Sequence, residues 1–181
     1  SGFVALQAAW AARYRGLDVV VLELMDRIMP SVLDEEGARL LTEKIREKGV
    51  DLRTGVSTQR FEKLDDGTFK IHLAGGEEIK ADFVIVGTGV RSNIGFLKDT
   101  DIQTERGILV DSHMRTSIPN IYAAGDVAAG PTTFGDEHLI HALWPTACEM
   151  GKTAGKNMAG IDFEYEGSLN MNVTEMYGVT V

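Results

Sequence analysis

The opening stretch, FVALQAAWAARYRGLDVVVLE, changes its hydrophobic period partway along. From about Phe3 to Tyr14 apolar and polar residues mix as in a helix, and Gly16 supplies the left-handed stop that helix ends favour. The apolar positions then become contiguous from Val19 to Leu22, the mark of a strand, and that run ends on Glu23. In PSVLDEEGARLLTEKIREKGVDL, Asp34 is placed to cap a helix whose apolar residues Ala38, Leu41 and Ile45 fall three or four apart, with Gly49 as its stop. A second short strand follows. Residues 57–80 shift to a shorter period punctuated by Asp66-Gly67 and Gly75-Gly76, which predicts a meander of three short antiparallel strands. DFVIVGTG then predicts a fully apolar strand, Phe83 to Val86, suited to a sheet covered on both faces.

The pattern beyond residue 90 is less regular. GILVDSHMRTSIPNIYAAGDVA suggests two short extended segments, the second a buried strand from Ile121 to Ala124 that runs into Gly125-Asp126. HLIHALWPTACEMGKTAGKNMAG predicts a long helix interrupted near Pro145, and GSLNMNVTEMYGVTV begins another strand-rich unit. There is no internal repeat and no low-complexity tract. Helices alternating with apolar strands define an α/β protein.

Composition narrows the function classes. The chain has 181 residues, 44% apolar and 25% charged, enough to bury the core of one domain or of a domain and part of another. A net charge of −9 without a Lys/Arg cluster argues against nucleic acid as a partner, because phosphate attraction needs a basic face. Cys148 is the single cysteine, so no internal disulfide framework exists and a reducing cytoplasm is the expected compartment, with the thiol buried and inert. No apolar run reaches the roughly 20 residues that span a bilayer, so no membrane partner is expected.

The candidate chemistry lies at the ends of strands. Ser1, Gly2 and Ala5 fit the tail of a dinucleotide-binding fingerprint, in which glycine lets the backbone approach a pyrophosphate at a helix start. Glu23 falls about twenty residues later at a strand's carboxyl end, where an acid bonds ribose hydroxyls and repels a 2′-phosphate, favouring NAD over NADP. Asp126 has two readings from the residues alone: a cap for the following helix, or a carboxylate whose burial is compensated by a ligand's hydroxyls. His72, His113, His138 and His141 show no metal-ligand spacing, although His138 and His141 could share a helix face, and no metal is expected.

SGFVALQAAWAARYRGLDVVVLE, FVIVGTGVRSN and PNIYAAGDVA, in that order, resemble the NAD-binding segment, the strand exit and the second flavin-binding motif of the pyridine nucleotide-disulfide oxidoreductase class of flavoproteins. LWPTACEMGKTAGKNMAG is most similar to the branch containing NADH oxidases, nitrite-reductase-associated proteins and ferredoxin or rubredoxin reductases. The resemblance implies a Rossmann-like FAD/NAD(P)-binding fold with a central parallel sheet and the antiparallel meander, and both FAD and NAD as cofactors. It implies that Gly125 and Asp126 meet the flavin's ribityl chain, and that Phe3 covers the nicotinamide pocket unless it is ordinary core. Gln7 stands where the family often has a glutamate that bonds the nicotinamide amide, a bond a glutamine can still make. Gly87 and Gly89 match the glycines that let nicotinamide lie at the strand end. Trp144 and Pro145 match the segment at the flavin's pyrimidine end, with a buried helix-start Trp as the competing reading. No catalytic side chain is named, because hydride transfer needs only the two cofactors held together. The redox cysteine pair of the disulfide-reducing members is absent.

The family pattern also implies missing parts: an N-terminal FAD-binding segment, the first strand of the NAD unit, and most of a C-terminal interface domain. The expected organisation is an NAD-binding domain lacking its first strand (1–90), the C-terminal part of the FAD-binding domain (91–160) and the start of the interface domain (161–181). The Val19 to Leu22 and Phe83 to Val86 strands would then lack a shared neighbour, with open edges that recruit other chains and an NADH affinity poorer than millimolar. The expected function is a portion of a cytoplasmic, homo-oligomeric flavoprotein oxidoreductase. It would pass hydride from NADH to FAD and electrons onward to oxygen, a small redox protein or a small molecule. The alternative is a non-catalytic nucleotide-binding or interaction module that never holds flavin.

Overall fold

Two glycines at positive φ set the first boundaries of the fold. Gly16 (φ 82°) follows helix α1, Phe3–Tyr14, and Gly49 (φ 79°) follows helix α2, Glu35–Glu47. Both occupy the left-handed region that residues with a Cβ avoid. Asp34 begins α2 by accepting a hydrogen bond from the Gly37 amide at 2.8 Å, and Ala38, Leu41 and Ile45 form its buried stripe. The structure, a computed structural model, describes every residue except Asp136.

The chain divides into two compact units, residues 1–89 with 173–181, and residues 90–172. In the first unit, strand β1 (Val20–Leu22) pairs in parallel with β2 (Asp51–Arg53), with Val21 opposite Leu52. The helices α1 and α2 cover this pair, and Leu6, Val21, Ile28, Leu41, Ile45 and Leu52 share one core. Strands β3 (Thr58–Lys63), β4 (Phe69–Leu73) and β5 (Glu78–Ala81) form the antiparallel meander in the order β3-β4-β5. Its turns carry Gly67, Gly75 and Gly76, all at positive φ.

In the second unit, β6 (Ile108–Leu109) runs parallel to β7 (Ala128–Pro131), and β7 pairs antiparallel with β8 (His138–Leu139). Helix α3, Trp144–Met158, packs Met150 and Ala154 against Ile108, Val110, Met114 and Ala128. Gly130 of β7 lies against α3, where an added Cβ would stand 3.0 Å from the Met150 methyl. The final residues form a hairpin, β9 (Glu175–Met176) and β10 (Val179–Thr180), turned by Tyr177 and Gly178 at positive φ. Tyr177 and Met176 belong to the first unit's core, where the Tyr177 hydroxyl donates to the Leu6 carbonyl at 3.0 Å.

Several expectations need correction. Phe83 to Val86 joins no sheet among the described residues and leaves Phe83, Ile85 and Val86 exposed; it is not the covered strand its apolar run predicts, and it lacks the neighbour it was expected to lack. The parallel sheet is accordingly limited to short pairs. Ile121 to Ala124 makes only an isolated bridge, Arg115 to Tyr122, and the strand proper begins after Asp126. Pro145 starts α3 instead of interrupting it, since a helix's first turn needs no N–H from that position. His138 lies in β8 and His141 precedes α3, so they share no helix face, and Cys148 is only half-buried.

Candidate functional site

Glu23 is the acid at the end of β1, and it is 6% exposed. Its position is fixed on both sides by main chain, since its amide donates to Arg53 O at 2.9 Å and its carbonyl accepts from Val56 N at 2.9 Å. One carboxylate oxygen accepts from the Met25 amide at 2.8 Å, and the other faces the amino group of Ser1. The acid therefore sits directly beside the start of α1. Gly2 caps that helix without a side-chain hydrogen bond, the first turn carries no acidic residue, and an added Cβ on Gly2 would meet nothing within 4 Å. Open backbone, free N–H groups and the positive helix end together suit a phosphate.

Gly87 completes this cluster from the far end of the first unit. A Cβ there would come within 2.8 Å of Ala5 Cβ and 3.2 Å of its Cα, so only glycine lets the chain cross the first turn of α1. The structure thus brings Gly2, Ala5, Glu23 and Gly87 together. Gly89 follows at φ 92°. Phe3 is half-buried and packs on the first unit's core, while Gln7 is exposed and bonded through Nε2 to the Thr174 hydroxyl.

The second unit holds its own cluster. Gly125 has φ 78° and opens a single 3₁₀ turn, Gly125–Val127, that lies against the start of α3; a Cβ added to it would stand 3.6 Å from Ala147 Cβ. Asp126 is exposed, and among the described residues its carboxylate makes no hydrogen bond, so it is not spent as a helix cap. The Asp126 carbonyl accepts from Ser92 Oγ at 2.6 Å. Sequence reasoning missed Ser92, whose one signal was its place just beyond the glycine-rich exit. Trp144 is 83% exposed, which removes the reading of a buried helix-start Trp, and Pro145 occupies the first turn of α3 with no acidic residue or side-chain cap nearby.

Other polar groups in this unit are structural. Buried Asn157 donates to the carbonyls of His113, Thr153 and Phe163 and accepts from the Phe163 amide, locking the segment after α3. His113 faces Asp162 at 3.0 Å. His141 contacts Ser168 Oγ through Nδ1 at 2.6 Å, and burial holds its imidazole below the usual range. Among the described residues no group of three or more His, Cys, Asp or Glu could hold a metal ion.

A helix start laid against a strand-end acid, with glycines at the close approaches, defines a dinucleotide-binding α/β protein. Residues 1–151 match the model of the pyridine nucleotide-disulphide oxidoreductase family, and the chain belongs to it. It is 32% identical to the assimilatory nitrate reductase electron transfer subunit of Bacillus subtilis, over 100% of this chain and 23% of that protein. It is 34% identical to the ferredoxin–NAD(+) reductase component of the p-cumate 2,3-dioxygenase system of Pseudomonas putida, over 91% of this chain and 40% of that protein. Among solved structures, the NAD-dependent persulfide reductase of A. fulgidus superposes with a TM-score of 0.90 at 30% identity, covering 99% of this chain and 33% of that one. The chain thus spans 23% to 40% of the length of these curated relatives.

Family membership implies FAD and a pyridine nucleotide as cofactors. The residues present fit both. Gly2 leaves its backbone open beside Glu23, and Asp126 keeps an unbonded carboxylate beside the left-handed Gly125.

Proposed function

We propose that the chain is the nucleotide-binding portion of an FAD-dependent NADH:acceptor oxidoreductase of the cytoplasm, active as a homo-oligomer. Residues 1–90 form its NAD-binding domain, 91–160 its share of the FAD-binding domain, and 161–181 the approach to an interface domain. Bound there, FAD and NADH would supply the redox chemistry, hydride transfer to flavin and electron transfer onward to oxygen, a small redox protein or a small molecule.

The chain's own residues bind and orient. The start of α1 at Gly2 would receive the pyrophosphate, Glu23 would accept hydrogen bonds from the adenosine ribose, and Gly87 and Gly89 would keep the chain low enough for nicotinamide to lie over it. Phe3 covers that pocket. Gln7 reaches the nicotinamide amide after releasing Thr174. In the second unit Asp126 accepts from a ribityl hydroxyl beside Gly125, and the first turn of α3, at Trp144 and Pro145, presents N–H groups to the flavin's pyrimidine edge.

The placement of Glu23 at the end of β1, whose Val21 shares a core with Leu6 of α1, carries this reading, because it sets the acid and the helix start within reach of one ligand. Its test is a ligand-observed NMR titration, which reads millimolar affinities. NADH should bind more tightly than NADPH, and Glu23→Ala should reduce that preference by about tenfold, the loss of a charged hydrogen bond. Equal affinity for the two dinucleotides in the unmutated protein would refute the assignment.

A further inference from the structure

The second unit carries a recess of about 170 Å³ between the edge strand β8 and the segment that follows Tyr165. Phe134, Leu139 and Leu169 supply its apolar wall, and all three side chains are exposed. His141 and Ser168 belong to its polar lining.

The backbone that shapes the recess is closely fitted. Gly167 (φ 94°) crosses the chain just after β7 so tightly that an added Cβ would stand 2.6 Å from the Thr132 carbonyl carbon and the Thr133 nitrogen, so only glycine passes there. That approach sets Ser168 in place: its amide donates to the Pro131 carbonyl at 3.2 Å, and its carbonyl accepts from the Thr133 amide at 3.1 Å. Thr132 Oγ1 donates to the Phe134 carbonyl at 2.8 Å, which fixes the turn carrying the phenyl ring.

A string of polar side chains leads from the core to this recess. Tyr165 is 7% exposed, and its hydroxyl has no well-formed hydrogen bond. Burial pushes its phenol up and the Ser168 hydroxyl draws it partly back, so Ser168 is the neighbour to which that O–H can turn. Ser168 Oγ in turn lies 2.6 Å from His141 Nδ1. Burial holds the imidazole below its usual range, so near neutral pH the ring is uncharged and carries a single N–H. A serine that accepts from Tyr165 donates onward to Nδ1, which leaves that N–H on Nε2. Nδ1 is thus spent on structure, whereas Nε2 has no partner among the described residues.

An apolar wall with one N–H donor suits a flat apolar molecule that carries an acceptor oxygen. The space is that of a single ring, since a cavity of about 150 Å³ holds benzene. Glu137 also borders the recess and repels a carboxylate on such a molecule. We infer that the recess binds a neutral single-ring aromatic ketone or aldehyde, its ring against Phe134, Leu139 and Leu169 and its carbonyl oxygen accepting from His141 Nε2. The inference goes beyond the oxidoreductase reading, since it needs neither flavin nor nicotinamide.

Fluorine NMR of para-fluoroacetophenone titrated with the chain tests it. Saturable broadening in the millimolar range is expected. Para-fluorobenzoate, which adds a charge, and para-fluorotoluene, which lacks the oxygen, should each bind about tenfold more weakly. His141→Phe keeps a ring but loses the donor, so it should weaken the ketone about tenfold and leave para-fluorotoluene unchanged; His141→Gln, which retains an N–H, should lose less. Phe134→Ala should weaken both, and circular dichroism checks that each variant is folded. Absence of saturable binding, equal binding of the ketone and para-fluorobenzoate, or ketone binding that survives His141→Phe in folded protein overturns the inference. Displacement of the ketone by NADH or FAD also overturns it, because the recess would then belong to a cofactor site. The ketone titration contains no dinucleotide, so its failure leaves the Glu23 reading standing.

Discussion

Replacing Gly87 by alanine tests whether the segment after Val86 must cross α1 at contact distance. The added methyl would sit 2.8 Å from Ala5 Cβ, with Ala5 Cα at 3.2 Å and Ala5 N at 3.3 Å. Carbon atoms attract best at about 3.5–4.0 Å, so the nearest contact is short by roughly 1 Å. The obstructing atoms belong to the helix itself and have no side-chain rotation by which to withdraw. Overpacking of this kind costs about 1–3 kcal/mol. Urea unfolding followed by Trp10 emission in a Trp144→Phe background reports on the first unit, because Trp10 packs on its core and Trp144 is exposed in the other. With a slope of about 1–3 kcal/mol per M, the midpoint should fall by on the order of 1 M. Ala5→Gly removes the nearest atom but leaves the two backbone contacts, so it should restore part of the loss. Its own cost in the helix is up to ~1 kcal/mol. The pair should therefore couple by at least about 0.5 kcal/mol in a double-mutant cycle. An unchanged midpoint for Gly87→Ala, or strictly additive costs, would refute the reasoning.

Asp126→Ala should leave the urea midpoint unchanged, because its carboxylate bonds nothing in the described chain, yet weaken FAD binding by about 1.5–3 kcal/mol in a flavin fluorescence titration. Tyr177→Phe removes the hydroxyl that donates to Leu6 O and should cost about 1 kcal/mol in urea. Burial lowers the folded-state pKa of His141, so the unfolded chain binds the proton more readily. Stability from this group is present above the unfolded value of about 6.5 and is lost as pH falls through it toward the folded value. His141→Gln should flatten that part of the pH profile measured by circular dichroism; an identical profile in the variant would exclude the ring as its source.

Local signals were legible where they were chemically complete. The limits of α1, the Asp34 cap, the Gly49 stop and both meander turns follow from residues that act within one turn of themselves. Phe83 to Val86 failed because an apolar run states a preference for burial in a sheet, while strand formation requires a partner's N–H and C=O groups. Pro145 failed for a positional reason: the same residue that breaks a helix interior suits its first turn. For the site, the types and spacing of Gly2, Ala5 and Glu23 were readable, but the need for glycine at 87 was not, because its cause is Ala5, far away in sequence.

The hairpin of β9 and β10 gives synthesis on the ribosome a particular timetable. Tyr177 bonds a residue 171 positions earlier, and the whole second unit is made between those two partners. Residues 90–172 are contiguous, whereas the core of the first unit, already shared by Leu6, Val21, Ile45 and Leu52, lacks Met176 and Tyr177 until β9 and β10 arrive. Throughout that interval the part of α1 that Tyr177 covers stays open to chaperones and to neighbouring nascent chains. A stall or frameshift just ahead of β9 would therefore affect a helix made long before it, by removing the side chain that accompanies Leu6 in the core.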